Sequence, residues 1–313
     1  MTDKFKIRDG RIDAVLDTDA YNEIDDQFAI AYMLRSSDKI NTKALYAAPF
    51  YNSNSSGAAD GMERSYDEIF KILSLCGRDD LSPNVYRGST AYLADEKTPV
   101  VSDAARDLAS RAMQYSPDAP LYVVAIGAIT NVASALLMNP EIKDRIVVVW
   151  LGGLSLELNE VNEFNMVQDI AAARVVMGCG VPFVQLPCNG VVSEFRISKP
   201  ELEYWLIGKN PLADYLAKNT IEAAERYAKD LPWTRVIWDV TAVAWLLNDK
   251  DRFMRCRLVN TRLPSYDKTV GYEPTPIEST MCYTYFIKRD ALMRDLIEKI
   301  LDTAHGKKEK SNE

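Results

Sequence analysis

Ten residues near the amino terminus hold the densest group of side chains able to do chemistry. Segment 17–26 reads DTDAYNEIDD and places four aspartates and one glutamate directly after a short apolar run. Carboxylates at this density repel one another unless a cation neutralises them, and oxygen donors without histidine or cysteine suit Ca²⁺ or Mg²⁺. Several ligands at varied spacing favour Ca²⁺, although the segment lacks the glycine and terminal glutamate of an EF-hand. The alternative is an acidic, solvated loop in which Asp25 or Asp26 caps the next helix.

Polar side chains recur after two other apolar runs. Segment 162–165 (NEFN) follows a run that is closed by two glycines, and Trp238-Asp239 stands between an apolar pair and a helical pattern. Ligands of parallel sheets bind beyond the carboxyl ends of the strands. These positions are therefore candidates for the same binding site as the acidic segment.

Composition restricts the chemistry further. The chain has 313 residues, a formal net charge of −8 and a single histidine, His305, in a polar tail. A serine or cysteine nucleophile paired with histidine is therefore excluded as a mechanism, and a zinc site is disfavoured. The negative net charge argues against nucleic acid or an anionic membrane as a partner, because either would be repelled. Five dispersed cysteines, no signal peptide and no long apolar stretch predict a cytoplasmic protein with free thiols.

The elements that must position these residues alternate along the chain. Apolar runs separated by helical patterns predict an α/β fold with an open, mostly parallel sheet, helices on both faces and helical additions. The predicted strands cover 12–16, 42–48, 120–126, 145–151 and 182–186, with β-structure and loop over 259–285. The predicted helices cover 26–35, 61–76, 131–138 with Asn131 as cap, 170–177, 200–207, 213–229, 241–247 and 289–304. We expect one domain over 1–304 and a disordered tail over 305–313.

Five ordered motifs carry a family resemblance. They are the acidic segment and residues 125–133 (AIGAITNVA), 150–153 (WLGG), 163–165 (EFN) and 238–239 (WD). In this order they resemble the motifs of the inosine-uridine preferring nucleoside hydrolases, which are calcium-dependent N-ribohydrolases. The family pattern DTDPGxDDxxA is similar to Asp17-Thr18-Asp19, Asp25-Asp26 and Ala29 here. The resemblance implies the nucleoside hydrolase fold with a Rossmann-like core.

The resemblance also implies a metal site. Asp19 matches the residue that binds Ca²⁺ and takes a proton from the attacking, Ca²⁺-bound water. Asp26 matches a bidentate Ca²⁺ ligand, and Asp239 matches the third carboxylate. Ile126 matches the position whose main-chain carbonyl binds the metal, which explains why its side chain is free to vary.

The remaining matches imply a ribose site. Asp25 matches the residue that accepts hydrogen bonds from ribose hydroxyls. Glu163 and Asn165 match a ribose clamp, with Asn165 near the 2′-hydroxyl and the metal. Asn162 is a weaker match, because the additional sugar-binding asparagine of the family stands several residues before the glutamate.

Trp238 is the main departure from the family pattern. The best-known members place a histidine before the third metal-binding aspartate, where it assists departure of the base. A tryptophan stands at this point in the purine-preferring branch, so we expect Trp238 to stack on the leaving base. The alternative is a tryptophan that packs in the core.

Two loops also depart from the pattern. Five residues separate Asp19 from Asp25 where the family has three, and we expect Glu23 in this insertion to face solvent or to lie behind the ligands. Segment 49–57 replaces a short Gly-Asn turn, so Asn52 or Asn54 could reach the ribose; an ordinary polar loop is the alternative. Segment 87–103 replaces a glycine-rich loop that contains a histidine.

The sequence therefore predicts a Ca²⁺-dependent ribonucleoside hydrolase that prefers purines and releases free base and ribose. One alternative is a nucleoside- or ribose-binding protein with little catalysis, and another is a hydrolase of a different N-riboside, such as nicotinamide riboside. The expected partner is a small-molecule nucleoside. The resemblance further implies a homo-oligomer, either a dimer or a tetramer.

Overall fold

A twisted sheet of eight strands forms the centre of the fold. The computed structural model describes residues 5–302. The strands are β1 (Ile12–Thr18), β2 (Ile40–Ala47), β3 (Val85–Arg87), β4 (Leu121–Ala125), β5 (Ile146–Leu151), β6 (Phe183–Leu186), β7 (Arg196–Ser198), β8 (Thr234–Val236), β9 (Met254–Asn260), β10 (Arg262–Pro264), β11 (Tyr272–Pro274) and β12 (Thr280–Ile287). The central sheet has the order β3-β2-β1-β4-β5-β6-β12-β9, and β7–β8 and β10–β11 form separate two-stranded sheets.

Ten α-helices surround the sheet in the part of the chain that the structure describes. They are α1 (Asp25–Leu34), α2 (Ala58–Leu75), α3 (Asp103–Arg111), α4 (Thr130–Met138), α5 (Phe164–Gln168), α6 (Ile170–Gly178), α7 (Lys199–Trp205), α8 (Pro211–Ala228), α9 (Val240–Trp245) and α10 (Arg289–Ile300). No helix among residues 5–302 combines the length and the apolar character that a membrane crossing needs.

The order of the strands creates a switch point between β1 and β4. Seven strands are parallel, and the edge strand β9 pairs antiparallel to β12. The chain proceeds outward from β1 through β2 to β3, then returns to add β4, β5 and β6 on the other side. Binding crevices of open α/β sheets lie beyond the carboxyl ends of the strands at such a reversal.

Both faces of the sheet are buried, and successive side chains of a strand point into the apolar core on one face or the other. On β5, Val147, Val149 and Leu151 belong to an apolar core that also contains residues of α1, α2, α8, α9 and α10, whereas Val148 and Trp150 belong to a second core with residues of α3, α4 and α6. A strand that is covered on both sides needs apolar residues at every position. This explains the continuous apolar run from which the strand was predicted.

The predicted fold class is confirmed, and the five predicted strands and eight predicted helices all form, with ends that differ from the prediction by at most four residues. The cap assigned to Asn131 is wrong. The Asn131 side chain does not cap α4 but donates to Asp17 Oδ1 at 2.8 Å and to the Ala47 carbonyl at 3.1 Å. Helices α3 and α5 were not predicted. The predicted tail and His305 lie outside the described residues, and the single domain and cytoplasmic location stay predictions.

Candidate active site

The acidic segment lies at the switch point, where β1 and β4 end side by side. The Ile126 main-chain N–H donates to the Asp17 carbonyl at 2.8 Å and ties the two strand ends together. Asp19 follows β1 directly and packs against Gly127. A Cβ atom at Gly127 would lie 2.9 Å from Asp19 Cγ, so glycine is required for this close approach.

Three carboxyl groups converge beside this strand end. Each of Asp25, Asp26 and Asp239 has an oxygen within 4.8 Å of the other two, and all three side chains are buried. Asp25 and Asp26 form the first turn of α1, and Asp239 directly precedes α9. The solvated loop with a capping aspartate is therefore ruled out, because these carboxyl groups are buried and α1 has no side-chain cap.

Burial and crowding change the acidity of the cluster. Burial raises the pKa of Asp26 to about 7, against the opposing effect of a hydrogen bond from Thr18. Burial raises the pKa of Asp19 well above its usual range, and the charges of Asp26 and Asp25 add to that effect. The pKa of Asp239 is raised by burial and then by Asp25 and Asp26. A divalent cation would relieve this repulsion and hold all four groups ionised.

Asp19 lies close enough to Asp25, Asp26 and Asp239 to interact electrostatically with each of them. It is fully buried, and neither carboxylate oxygen has a hydrogen-bond partner within residues 5–302. Buried polar atoms are nearly always paired in native proteins. Two unpaired carboxylate oxygens beside three other carboxyl groups fit a hard cation with oxygen ligands.

Asn165 connects the ends of two strands. Its Nδ2 donates to the carbonyl oxygens of Ile126 and Leu151, each at 3.1 Å. Both amide hydrogens are thus used, so the Asn165 side chain offers only its acceptor Oδ1 to a ligand. The Ile126 carbonyl has a second lone pair, which stays available for a ligand.

Glu163 shapes the segment that carries Asn165. Its Oε1 accepts from the Asn165 N–H at 2.9 Å, and its Oε2 accepts from the Gly153 N–H at 2.7 Å and the Met166 N–H at 3.0 Å. Burial raises the pKa of Glu163, while these main-chain donors oppose the shift. Glu163 therefore caps α5 and also holds Gly153, whose positive φ of 77° favours glycine.

A cavity of about 250 Å³ opens above the carboxyl groups. Its lining residues are Asn22, Glu23, Asp25, Ile126, Leu151, Asn162, Glu163, Phe164, Asn165, Cys188, Asn189, Trp238 and Asp239. Trp238 is half-buried: it faces the cavity and also packs against the core. The side chain therefore packs partly in the core, and its stacking on a leaving base stays a prediction.

Most predicted site residues come together here. Asp25, Asp239, Ile126, Asn162, Glu163, Asn165 and Trp238 line the cavity, and Asp19 and Asp26 lie in the carboxyl cluster beneath it. Asn52 and Asn54 do not line it; both side chains donate to Asn22 instead.

Sequence reasoning missed several lining residues. Cys188 and Asn189 follow β6, so their place after a predicted strand was the signal that could have found them. Asn22 lies in the acidic segment, where only the carboxylates were predicted as site residues. Glu23 stands at the cavity mouth and pairs with Arg235 at 2.6 Å, which agrees with its expected place outside the cluster.

A larger cavity of about 1160 Å³ lies at the opposite edge of the sheet. It is bounded by the start of β6, the start of β12 and the end of β9. Its lining within residues 5–302 includes one carboxylate, Glu278, and none of the predicted site residues. The smaller cavity is the candidate active site because the buried carboxyl cluster lies there.

Known proteins resemble this chain in both sequence and structure. The family model of the inosine-uridine preferring nucleoside hydrolases matches residues 14–284. The pyrimidine-specific ribonucleoside hydrolase RihA of Citrobacter koseri is 25% identical over 248 residues, which are 71% of this chain and 76% of that protein.

Two solved structures resemble the chain over nearly its whole length. The plant nucleoside hydrolase PpNRh1 superposes with a TM-score of 0.73 at 19% identity and covers 93% of this chain and 99% of its own. The purine-preferring ribonucleoside hydrolase from Gardnerella vaginalis superposes with a TM-score of 0.73 at 20% identity, covering 93% and 98%. At these identities the two likenesses establish the fold.

Proposed function

The chain belongs to the inosine-uridine preferring nucleoside hydrolases, a family of enzymes, and we propose that it hydrolyses the N-glycosidic bond of purine ribonucleosides with Ca²⁺. The observation that carries the proposal is the buried cluster of Asp25, Asp26 and Asp239 at a cavity of about 250 Å³, with the buried Asp19 carboxylate close enough to interact electrostatically with all three. Water attacks the anomeric carbon and the carbon–nitrogen bond breaks; the hydroxyl group of the water stays on ribose, and its proton ends on the released base.

Four groups would hold the metal: the carboxylates of Asp19, Asp26 and Asp239 and the main-chain carbonyl of Ile126. When bound there, Ca²⁺ would make the attacking water more acidic and orient the ribose hydroxyls. The choice of Ca²⁺ over Mg²⁺ is supported by the donor set, which is entirely oxygen, drawn from distant segments and irregular in spacing.

Asp19 is the proposed general base. Its oxygens are buried and unpaired within residues 5–302, so one oxygen can bind the metal while the other takes the proton of the water. Its position against Gly127 fixes the side chain at the base of the cavity. A carboxylate held in this way needs no reorganisation when the water attacks.

The surrounding groups would stabilise the sugar. Cleavage builds positive charge on the ribose ring, and a cavity with several carboxylates favours such an oxocarbenium-like transition state. Asp25 and the Asn165 oxygen are acceptors for ribose hydroxyls, and Asn162 lies on the same wall. Glu163 contributes mainly by holding this wall, since both of its oxygens accept main-chain hydrogen bonds.

The proposed preference for purine nucleosides is supported by the position of Trp238, which lines the cavity next to Asp239. A large aromatic face gives a two-ring base more stacking area than a one-ring base. Phe164 provides a second aromatic side chain on the lining. The Citrobacter relative is named as pyrimidine-specific and the Gardnerella protein as purine-preferring, so the preference needs a direct comparison.

The test is release of reducing sugar from inosine, guanosine, adenosine, uridine, cytidine and nicotinamide riboside. We expect release from the purine ribonucleosides with Ca²⁺, loss of release with EDTA, and recovery when Ca²⁺ is added back. Faster turnover of uridine or cytidine would overturn the purine preference. Binding of a nucleoside with no release of sugar from any member of the panel would overturn the proposed hydrolysis.

A further inference from the structure

We propose that Asn22, in the inserted part of the acidic segment, is a substrate-binding residue that donates a hydrogen bond to a ribose hydroxyl. Asn22 is 7% exposed and lines the candidate active site beside Asp25. No motif of the sequence indicates this role. The inference rests on the proposed function only in taking the ligand to be a riboside.

A chain of hydrogen bonds fixes which end of the Asn22 amide faces the cavity. The Asn54 main-chain N–H, which can only donate, bonds to Asn52 Oδ1 at 2.8 Å. Asn52 must therefore use its Nδ2 as the donor to Asn22 Oδ1, at 2.5 Å. The donor Nδ2 of Asn22 is left without a protein partner among residues 5–302.

The main chain of Asn22 is fixed as well. Its N–H donates to the Asp19 carbonyl at 2.7 Å, and its carbonyl accepts from Asn54 Nδ2 at 2.8 Å. Every polar atom of Asn22 except Nδ2 is thus used inside the protein. Asn52 and Asn54, which the sequence suggested as direct ribose contacts, act instead by orienting Asn22.

Asn22 and Asp25 line the same cavity, and together they indicate the class of ligand. An ionised carboxylate can only accept hydrogen bonds, and the exposed end of the Asn22 amide can only donate. A hydroxyl group both donates and accepts, so it satisfies the two side chains at once. The structure therefore favours one of the two vicinal hydroxyls of ribose between Asn22 and Asp25.

The experiment measures binding, so that it does not depend on catalysis. Formycin B is an inosine analogue whose carbon–carbon bond to the ribose cannot be hydrolysed, and we would titrate it and its 2′-deoxy and 3′-deoxy forms into the Ca²⁺-loaded protein by calorimetry. We expect Asn22→Ala to weaken binding of formycin B about tenfold, the size of a neutral hydrogen bond. For the deoxy analogue that lacks the contacted hydroxyl, the same substitution should have no effect.

Two further variants separate orientation from packing. Asn52→Asp cannot donate to Asn22 and would accept from Asn22 Nδ2 instead, which turns Oδ1 toward the cavity and Asp25. We therefore expect Asn52→Asp to match the loss of Asn22→Ala. Asn41→Ala is the control: it removes an amide that donates to Asp13 at the opposite edge of the sheet and should leave binding unchanged.

Several results would overturn the proposal. These are unchanged binding by Asn22→Ala, an equal loss with all three analogues, and weaker Ca²⁺ binding that explains the whole effect. Absence of binding by the unsubstituted protein to all three would also contradict it, since the donor would then have no ligand. If formycin B binds while no nucleoside is hydrolysed, the proposed function fails and the role of Asn22 is still decided.

Discussion

Thr18 Oγ1 donates a hydrogen bond to Asp26 Oδ1 at a distance of 2.5 Å. Thr18 is the last residue of β1, and Asp26 lies in the first turn of α1, so the bond joins the strand to the helix that carries two of the clustered carboxylates. Both side chains are buried. The hydroxyl fixes one oxygen of Asp26 and thereby directs the other toward the shared site.

We predict that Thr18→Val weakens Ca²⁺ binding by about tenfold or more. Valine keeps the shape of threonine but removes the hydroxyl, and groups that orient metal ligands contribute about ten- to a hundredfold in affinity. Calorimetric titration of Ca²⁺ measures the change. Thr18→Ser is the matched control and should bind Ca²⁺ almost as well as the unsubstituted protein; equal affinity of the serine and valine variants at the original level would contradict the assigned role.

We predict that removing the Glu23–Arg235 ion pair raises KM and leaves kcat within about twofold. The pair joins the inserted segment to β8, just before Trp238 and Asp239, and so holds the mouth of the cavity. Arg235→Gln should raise KM for inosine several-fold, while the free energy of unfolding changes by less than about 1 kcal/mol, as for other partly exposed pairs.

The control for this prediction is Arg87→Gln. It breaks an exposed ion pair of 2.9 Å between Arg87, on the edge strand β3, and Glu63 on α2. Its KM should stay unchanged. The double variant Glu23→Arg with Arg235→Glu exchanges the two charges and should bring KM part of the way back to its original value. A fall in kcat with no change in KM would argue against the assigned role.

The sequence could predict the sheet and the positions of the carboxylates because both depend on local patterns. Strands β1, β4 and β5 are nearly continuous apolar runs, and the polar residues that follow them meet at one edge in a parallel sheet. Asp25, Asp26 and Asp239 accordingly lie close together, with Asp19 beside them, and their roles as ligands stay a prediction.

The errors concern side chains whose partners are distant in sequence. Asn131 is of a residue type that often caps helices and stands at the start of a helical pattern. Its side-chain amide instead donates to Asp17, which is 114 residues away. The interaction of Asn52 with Asn22 spans 30 residues and is invisible to any local pattern. Helix α3 was missed because it buries mostly alanine, which gives a weak apolar signal.

We predict that the metal-free protein becomes less stable as pH rises from about 4 to about 7. Burial raises the pKa of Asp17 to about 7, with the Asn131 hydrogen bond opposing, and burial likewise raises the pKa of Asp26 to about 7. The native state therefore binds protons that the unfolded chain has already released. Each such group lowers the free energy of unfolding by about 1.4 kcal/mol per pH unit inside this window.

Thermal unfolding in EDTA at pH 4 to 8 measures this effect. Asp17→Asn should reduce the slope, whereas Asp118→Asn, in a surface turn outside the cluster, should not. Added Ca²⁺ should raise Tm more at pH 7 than at pH 5, because the cation competes with protons for the cluster. A Tm in EDTA that rises from pH 4 to 7 would contradict the account.

We predict that substitution of Trp238 lowers the activity toward purine nucleosides more than the activity toward pyrimidine nucleosides. Loss of a stacking aromatic costs about 1–3 kcal/mol, so Trp238→Ala should lower kcat/KM for inosine by about 10- to 100-fold and that for uridine by less. Trp238→Phe should keep most of the activity. Equal losses on both substrates together with a lower Tm would instead indicate that Trp238 serves only packing.

The central claim is that Asp19 takes the proton of the attacking water. The most direct measurement is ribose release from inosine by Asp19→Asn at saturating Ca²⁺ and substrate, with Asp13→Asn at the other end of β1 as control. We predict that kcat falls by about 10²- to 10⁴-fold in Asp19→Asn and stays unchanged in Asp13→Asn. An Asp19→Asn variant that binds Ca²⁺ and keeps kcat within tenfold of the unsubstituted enzyme would contradict the claim.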